Sequence, residues 1–274
     1  MFEQSSDGLT SQAFGTGNRP YTTSRVNAVG NTTTSYYPFR AAGRLFFKIG
    51  ASSYVCSASL IKKGVIVTAA HCVNGYGSGS FYSNFQFVAG YNSGNAPYGV
   101  AGYKAVYVMT AYNRGTDSCY QRGVVCQNDV ALIVLNSNVG TLAGYYGYGY
   151  NGYSFINNTA QITQLGYPVA LDGGLLMERT DSLGSVSSAM SGNTLIGSLQ
   201  TGGSSGGPWL VNLGTTPSVS GTSLGSASSS NVVVGVTSWG YTDTGVKVQG
   251  ASPFTSSNIV NLVNAACTAY PTSC

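Results

Sequence analysis

Gln127-Asn-Asp-Val-Ala-Leu-Ile-Val-Leu135 sets a carboxylate, Asp129, at the head of six consecutive apolar residues. The run is strand-length and rich in branched side chains, and it falls far short of the ~18 apolar residues of a membrane span. Burying an unpaired carboxylate is expensive, so Asp129 at the edge of such a run calls for hydrogen-bond partners from elsewhere in the chain. Similar short runs lie on both sides: Arg44-Leu-Phe-Phe-Lys-Ile49, Tyr54 to Ile61, Val65-Ile-Val-Thr68, Phe85 to Val88, Lys104 to Met109, Ala160 to Leu165 and Val232 to Thr237. Val, Ile, Tyr, Phe and Thr dominate them, and Gly, Asn or Pro bound them. Many short punctuated strands indicate an all-β sandwich or barrel. Only Ser257 to Ala266 has helical spacing, with Ile259, Leu262, Val263 and Ala266 on one face. A body over 41–274 closed by a helix over 257–266 is expected, preceded by a polar, turn-rich extension or former pro-segment over 1–40.

Just 7% of the 274 residues are charged, with 12 basic against 8 acidic and one His, where an average domain has about 25% charged residues. Surface polarity must come from Ser, Thr, Asn, Gln and Tyr. That scarcity argues against a coiled coil, a disordered polyelectrolyte and a nucleic-acid binder, each of which needs more charge. The expected partners are therefore neither nucleic acid nor membrane, and a monomer is the simplest state. The start, Met1-Phe-Glu-Gln4, has neither a basic head nor an apolar run, so no signal peptide is read there. Compartment is read from six cysteines, whose even number and low-charge context suit an oxidised, secreted protein. Cys119 with Cys126 and Cys267 with Cys274 each close a short loop, so sequential pairing, with Cys56 to Cys72, is the simplest of 15 connectivities. No metal centre is expected: there is no Cys-x-x-Cys, and His71 adjoins Cys72 rather than standing at ligand spacing. Calcium has no clustered acids to hold it, and no cofactor is expected. Asn31-Thr-Thr33 and Asn157-Asn-Thr159 match glycosylation acceptors, and Leu142 to Tyr153 is a Tyr/Gly-rich stretch that reads as a surface loop.

Three segments carry chemistry: Val67-Thr-Ala-Ala-His-Cys-Val73, the Asp129 strand, and Thr201-Gly-Gly-Ser-Ser-Gly-Gly-Pro-Trp-Leu210. A hydroxyl is a weak nucleophile until a neighbouring base takes its proton, and the base works best when a buried carboxylate fixes its tautomer. His71 is the one imidazole available. Ser205 lies among glycines that let the chain turn sharply and expose amide N–H groups able to hold an oxyanion. Singly, each segment has an ordinary structural explanation as a core His, a turn Asp or a flexible loop; together they point to nucleophilic catalysis.

Thr68-Ala-Ala-His-Cys72, Asn128-Asp-Val-Ala-Leu132, Gly203-Ser-Ser-Gly-Gly-Pro208 and Thr237-Ser-Trp-Gly240 resemble the motifs of the chymotrypsin-like (trypsin-fold) serine endopeptidases. The chain order His, Asp, Ser is also that family's. The resemblance, covering about residues 44 to 266, implies two perpendicular six-stranded antiparallel β-barrels, here about 41–140 and 141–256, with the site between them. It implies Ser205 as nucleophile, His71 as general base then acid, and Asp129 as the residue that orients His71. The amides of Gly203 and Ser205 would form the oxyanion hole. Ser238 would support Asp129, and the Ser238-Trp239-Gly240 backbone would pair with an extended substrate. Cys56 and Cys72 match the disulfide that brackets the catalytic His.

The departures narrow the branch. Ser204 stands where digestive relatives have the Asp that binds a newly freed N-terminus, and no cysteine flanks Ser205. The stretch Asn18 to Val26 through Tyr37-Pro-Phe39 resembles bacterial glutamyl-endopeptidase-like members, a secreted branch. Counting back from Ser205 puts Leu199 and Gln200 at the primary pocket, Leu199 where trypsins have Asp. Thr237 takes the position where Glu-specific members have a second His. An uncharged pocket is expected, with Asp243 or Lys247 as charged side chains able to enter it, and Gly245 or Gly250 as its far wall. Cleavage after Arg19 or Arg25 is a candidate maturation step. A catalytically silent binding or adhesion protein, or an esterase using the same residues, are the competing readings.

Overall fold

The computed structural model describes residues 19–27, 32–117, 124, 127–187, 192–215, 229–243 and 245–274. Cys119, Cys126 and Asn31 lie outside them. Its first strands are β1 (Tyr21–Arg25), β2 (Ala42–Ile49), β3 (Ser52–Lys62), β4 (Val65–Thr68), β5 (Ser83–Ala89), β6 (Tyr103–Val108) and β7 (Ala131–Leu135). They are followed by β8 (Gly147–Tyr148), β9 (Thr159–Gly166), β10 (Glu178–Val186), β11 (Thr194–Gly197), β12 (Pro208–Val211), β13 (Val232–Gly240) and β14 (Val248–Pro253). Short helices α1 (Thr110–Arg114) and α2 (Gly140–Ala143) interrupt them, and α3 (Asn261–Ala269) comes last.

β2 to β7 form one six-stranded antiparallel sheet in the order β5-β2-β3-β4-β7-β6. It curls so that its edges approach, with Phe87 bridging to Ala101. The second sheet closes fully: β9, β10, β11, β14, β13 and β12 pair in a ring, because β10 pairs with β9 as well as β11. β1 pairs along β10 and β8 along β13 in addition to that ring. The all-β, two-barrel architecture expected from the motifs is thus present, the first barrel curled and the second closed.

β7 shows why the fold is legible in one short stretch. Alternate side chains of a strand face opposite ways. Leu132 and Val134 enter the core between the two sheets, whereas Ala131, Ile133 and Leu135 enter the interior of the first. Both faces are buried, so the strand reads as an unbroken apolar run. The interior of the second barrel is smaller, built on Ile162, Ile196, Trp209 and Val234.

The C-terminal helical segment begins with a turn at Ser256–Val260 and continues as α3, three residues past the expected end. Thr255 caps it: its hydroxyl accepts from Asn258 N–H at 3.1 Å, and Asn258 returns the bond at 2.8 Å. Pro271 follows and the Cys267–Cys274 disulfide closes the end. Ile259, Leu262, Val263 and Ala266 pack into the core between the sheets.

Candidate active site

β4 pairs with β7 in a register that sets Thr68 opposite Ala131. His71 lies three residues beyond one and Asp129 two residues before the other, so the ladder delivers them to the same end of the sheet. His71 sits in a single helical turn, Ala70–Cys72, and the Cys56–Cys72 disulfide ties that turn to β3. Both sulfurs of the Cys56, His71 and Cys72 cluster are therefore bonded to each other and offer no thiolate to a metal.

Asp129 is buried, and the partners its position demanded are present. The His71 backbone N–H donates to Oδ1 at 2.8 Å, and ring Nδ1 to Oδ2 at 2.8 Å. Ser238 Oγ donates to Oδ2 at 2.6 Å. Burial alone would push this carboxyl up, but the His71 charge and these hydrogen bonds outweigh it and hold Asp129 below its usual value. Burial likewise pulls the imidazole down, and the Asp129 charge and hydrogen bond overcome it, leaving His71 raised. The His71 side chain remains 37% exposed, so the ring is fixed on one side and accessible on the other.

The Ser205 loop can be made only with glycine at its tightest points. Gly206 has φ +77, and a Cβ there would fall 2.0 Å from Thr68 Oγ1 and 2.5 Å from the Ser57 carbonyl. Gly203 has φ +95, and its Cβ would meet the Tyr167 carbonyl at 2.5 Å. Ser57, next to Cys56, spans both halves: its N–H donates to the Ser205 carbonyl at 2.8 Å and its Oγ to the Gly203 carbonyl at 2.8 Å. One strand, β3, therefore holds the His71 turn through a disulfide and the Ser205 loop through Ser57. The motifs did not reveal Ser57; its position after a half-cystine was the one available signal.

The N–H groups of Ser204, Gly206 and Gly207 are spent on the carbonyls of Thr201, Thr237 and Ser204. Those of Gly203 and Ser205 donate to no protein acceptor among the described residues. Beside this loop lies a cavity of about 390 Å³ lined by Ser205 together with Leu199, Gln200, Ser238, Trp239 and Gly240. The expected site residues thus fall in two linked groups, with Ser238 belonging to both.

The far wall of the cavity differs from expectation. It is built by Val246 to Gln249, not by Gly245 or Gly250, because Gly250 lies under the Trp239 indole, 2.2 Å from where a Cβ would be. Behind it runs a buried network of neutral groups. Gln164 Nε2 donates to Thr237 Oγ1 at 2.9 Å and to Gln249 Oε1 at 2.5 Å, and Gln164 Oε1 accepts from Ser198 Oγ at 2.7 Å. Thr237 Oγ1 also accepts from Trp209 Nε1 at 2.9 Å, and Gln249 Nε2 donates to the Gln200 carbonyl at 2.6 Å. Asp243 and Lys247, of opposite charge, both line the cavity.

A trypsin family model matches residues 28–260. Over 137 residues, 50% of this chain, the sequence is 28% identical to a glutamyl endopeptidase of Bacillus licheniformis, of which the match covers 39%. Over 119 residues, 43% of this chain, it is 29% identical to an extracellular metalloprotease of Bacillus subtilis, of which 35% is covered. The chain thus spans well under half the length of the curated relatives it matches. Among solved structures, protease Anisep from Arthrobacter nicotinovorans superposes with a TM-score of 0.67 at 26% identity, covering 85% of this chain and 98% of that one. With the family match running through both barrels and up to the start of the terminal helix, the chain belongs to the trypsin family.

Proposed function

We propose that the protein is a secreted serine endopeptidase in which Ser205, His71 and Asp129 form the catalytic triad. The observation that carries this reading is the buried Asp129 carboxylate, held by His71 Nδ1, His71 N–H and Ser238. A buried charge arranged around one imidazole is how a base is fixed in the tautomer that leaves its other nitrogen free to accept a proton.

In this mechanism Ser205 Oγ attacks the scissile carbonyl carbon while His71 takes the hydroxyl proton. The oxygen that becomes negative is received by the N–H groups of Gly203 and Ser205. Collapse breaks the C–N bond, His71 returns its proton to the departing amine, and an acyl-enzyme remains. Water, deprotonated by the same imidazole, then releases the acid and regenerates Ser205. The Ser238 to Gly240 backbone offers the strand edge along which an extended peptide pairs.

The primary pocket takes uncharged side chains. Support comes from Thr237, whose hydroxyl is already committed to Gln164 and Trp209, and from Asp243 and Lys247, which cancel in charge. Extracellular action is supported by the disulfides Cys56–Cys72 and Cys267–Cys274 and by the relative named extracellular. No helix among the described residues is long and apolar enough to cross a membrane. Digestion of a mixed peptide library by the parent protein and by Ser205→Ala tests the reading. Cleavage after uncharged residues by the parent alone is expected; equal cleavage by both proteins overturns it.

A further inference from the structure

β1 leaves its sequence neighbours and joins the second barrel. Residues 178–182 of β10 pair with β9 on one side and β1 on the other, whereas 185–186 pair with β11. β1 therefore fills the part of the barrel wall that the short β11 leaves open. The fit is close: a Cβ on Gly197 would fall 2.4 Å from the Arg19 carbonyl and 2.6 Å from the Tyr21 ring. The Arg19 guanidinium donates to Ser185 Oγ at 2.7 Å and to the Leu195 carbonyl at 3.1 Å. Ser182 Oγ donates to the Pro20 carbonyl at 2.9 Å.

At the other end Val26 N–H donates to the Met177 carbonyl at 2.9 Å, and Arg25 grips both carboxylate oxygens of Asp172, with Nε to Oδ2 at 2.5 Å. Asp172 belongs to the turn over 168–175, and the same turn holds the loop of the proposed oxyanion hole. Val169 N–H donates to the Gly202 carbonyl at 2.8 Å, and Ala170 N–H to Thr201 Oγ1 at 3.2 Å. Gly203 lies against the Tyr167 carbonyl so closely that no side chain fits. A continuous path of hydrogen bonds and contacts runs from β1 to Gly203.

We propose that β1 is an activating strap: paired along β10 beside the end of the short β11 and clamped by Arg25 on Asp172, it holds the 168–175 turn against Thr201–Gly203 and so keeps the Gly203 and Ser205 amides aimed at the substrate carbonyl. Arg25 and Asp172 are then positioning residues, and the active protein must retain the chain from Arg19 onward. On this reading neither cut, after Arg19 nor after Arg25, gives the active protein, and a cut before Arg19 is permitted. The inference rests on the serine endopeptidase reading.

The test compares full-length parent, Thr23→Pro, Arg25→Ala, Asp172→Ala and the Arg25→Ala/Asp172→Ala double variant on one peptide substrate, alongside labelling by a sulfonyl fluoride. Because misaiming oxyanion donors reduces transition-state stabilisation, kcat is expected to fall about tenfold for Thr23→Pro and about threefold for each clamp variant, with KM nearly constant. The double variant should fall no further than either single one. Arg25→Lys, which keeps the charge but loses the two-pronged grip, should lie between parent and Arg25→Ala. If Thr23→Pro does not fold, the clamp variants decide alone. Unchanged kcat in the clamp variants, or a rise in KM at constant kcat, overturns the strap. A parent that neither cleaves nor labels overturns the endopeptidase reading instead.

Discussion

The two barrels solve the same problem with different materials. The first holds His71 and Asp129 just beyond the ends of strands buried on both faces, with a disulfide fixing the turn, so that the buried Asp129 carboxylate is met by three hydrogen bonds beside an apolar core. The second holds Ser205 and the pocket on a lattice of amides and hydroxyls, in which Gln164, Ser198, Thr237 and Gln249 satisfy one another. A nonpolar support makes the base electrostatically strong; a neutral polar support shapes a cavity without giving it charge. Substitution of Asp129 should therefore act on rate, and substitutions in the Gln164 network on stability and selectivity.

The largest effect is expected at Asp129. Asp129→Asn keeps the shape but removes the charge that raises His71 and stops fixing its tautomer, so kcat should fall by about 10⁴. In the parent, the limb on which activity rises with pH should be centred above 6.5, the ordinary value of His, because His71 is raised and must be neutral to act as base. A pH–rate profile of both proteins checks this, and a loss under tenfold would break the contrast between the halves. Next, replacing Cys56 and Cys72 together by Ala opens a 16-residue separation, and stability should drop by about 3 kcal/mol in denaturant titration. kcat should fall with it, since the His71 turn loses its tether.

In the second barrel, Gln164→Leu strands the Ser198 hydroxyl proton and Gln249 Oε1, while Thr237 Oγ1 keeps its bond from Trp209. A cost of about 1–3 kcal/mol per stranded group is expected, with altered side-chain preference in peptide profiling but an unshifted pH limb. A shifted limb would mean that the two supports are not independent. The smallest effect belongs to Glu178, buried beside Asp172 with Oε1 unpartnered among the described residues and its carboxyl pushed up to about 7, chiefly by burial and then by Asp172. Since its folded value lies above its unfolded one, the folded state is favoured at low pH and loses stability as pH rises from about 4.5 through 7. Glu178→Gln removes that loss and should raise Tm by a few degrees at pH 8 while changing little at pH 4.

The same contrast explains what was legible in the sequence. Strands buried on both faces, such as Val65–Thr68 and Ala131–Leu135, read directly as apolar runs. Glu178–Val186 and Val248–Pro253 hold as strands although they read Glu-Arg-Thr-Asp-Ser-Leu-Gly-Ser-Val and Val-Gln-Gly-Ala-Ser-Pro, because ladder partners and buried hydroxyls replace apolar periodicity. β1 is hidden for the same reason: its partner, β10, lies about 150 residues away and nothing local announces the pairing. The His71–Asp129 pairing and the tight turn around Ser205 were readable because each stands in a distinctive local motif. Ser57, Gln164 and Gln249 were not, since their roles exist only once distant strands meet. Gly250, one of two candidates for the far wall, sits under Trp239 through a register shift between Thr237 and Trp239 that no local signal in the sequence marks.

Reaction with a sulfonyl fluoride, read by peptide mass and residual peptidase activity, bears most directly on the assignment of Ser205. The expected result is one label per molecule, on Ser205, with activity lost in proportion and no labelling in Asp129→Asn over the same time. Full peptidase activity in protein labelled at Ser205, or cleavage of peptides by an unlabelled Ser205→Ala variant, would contradict it.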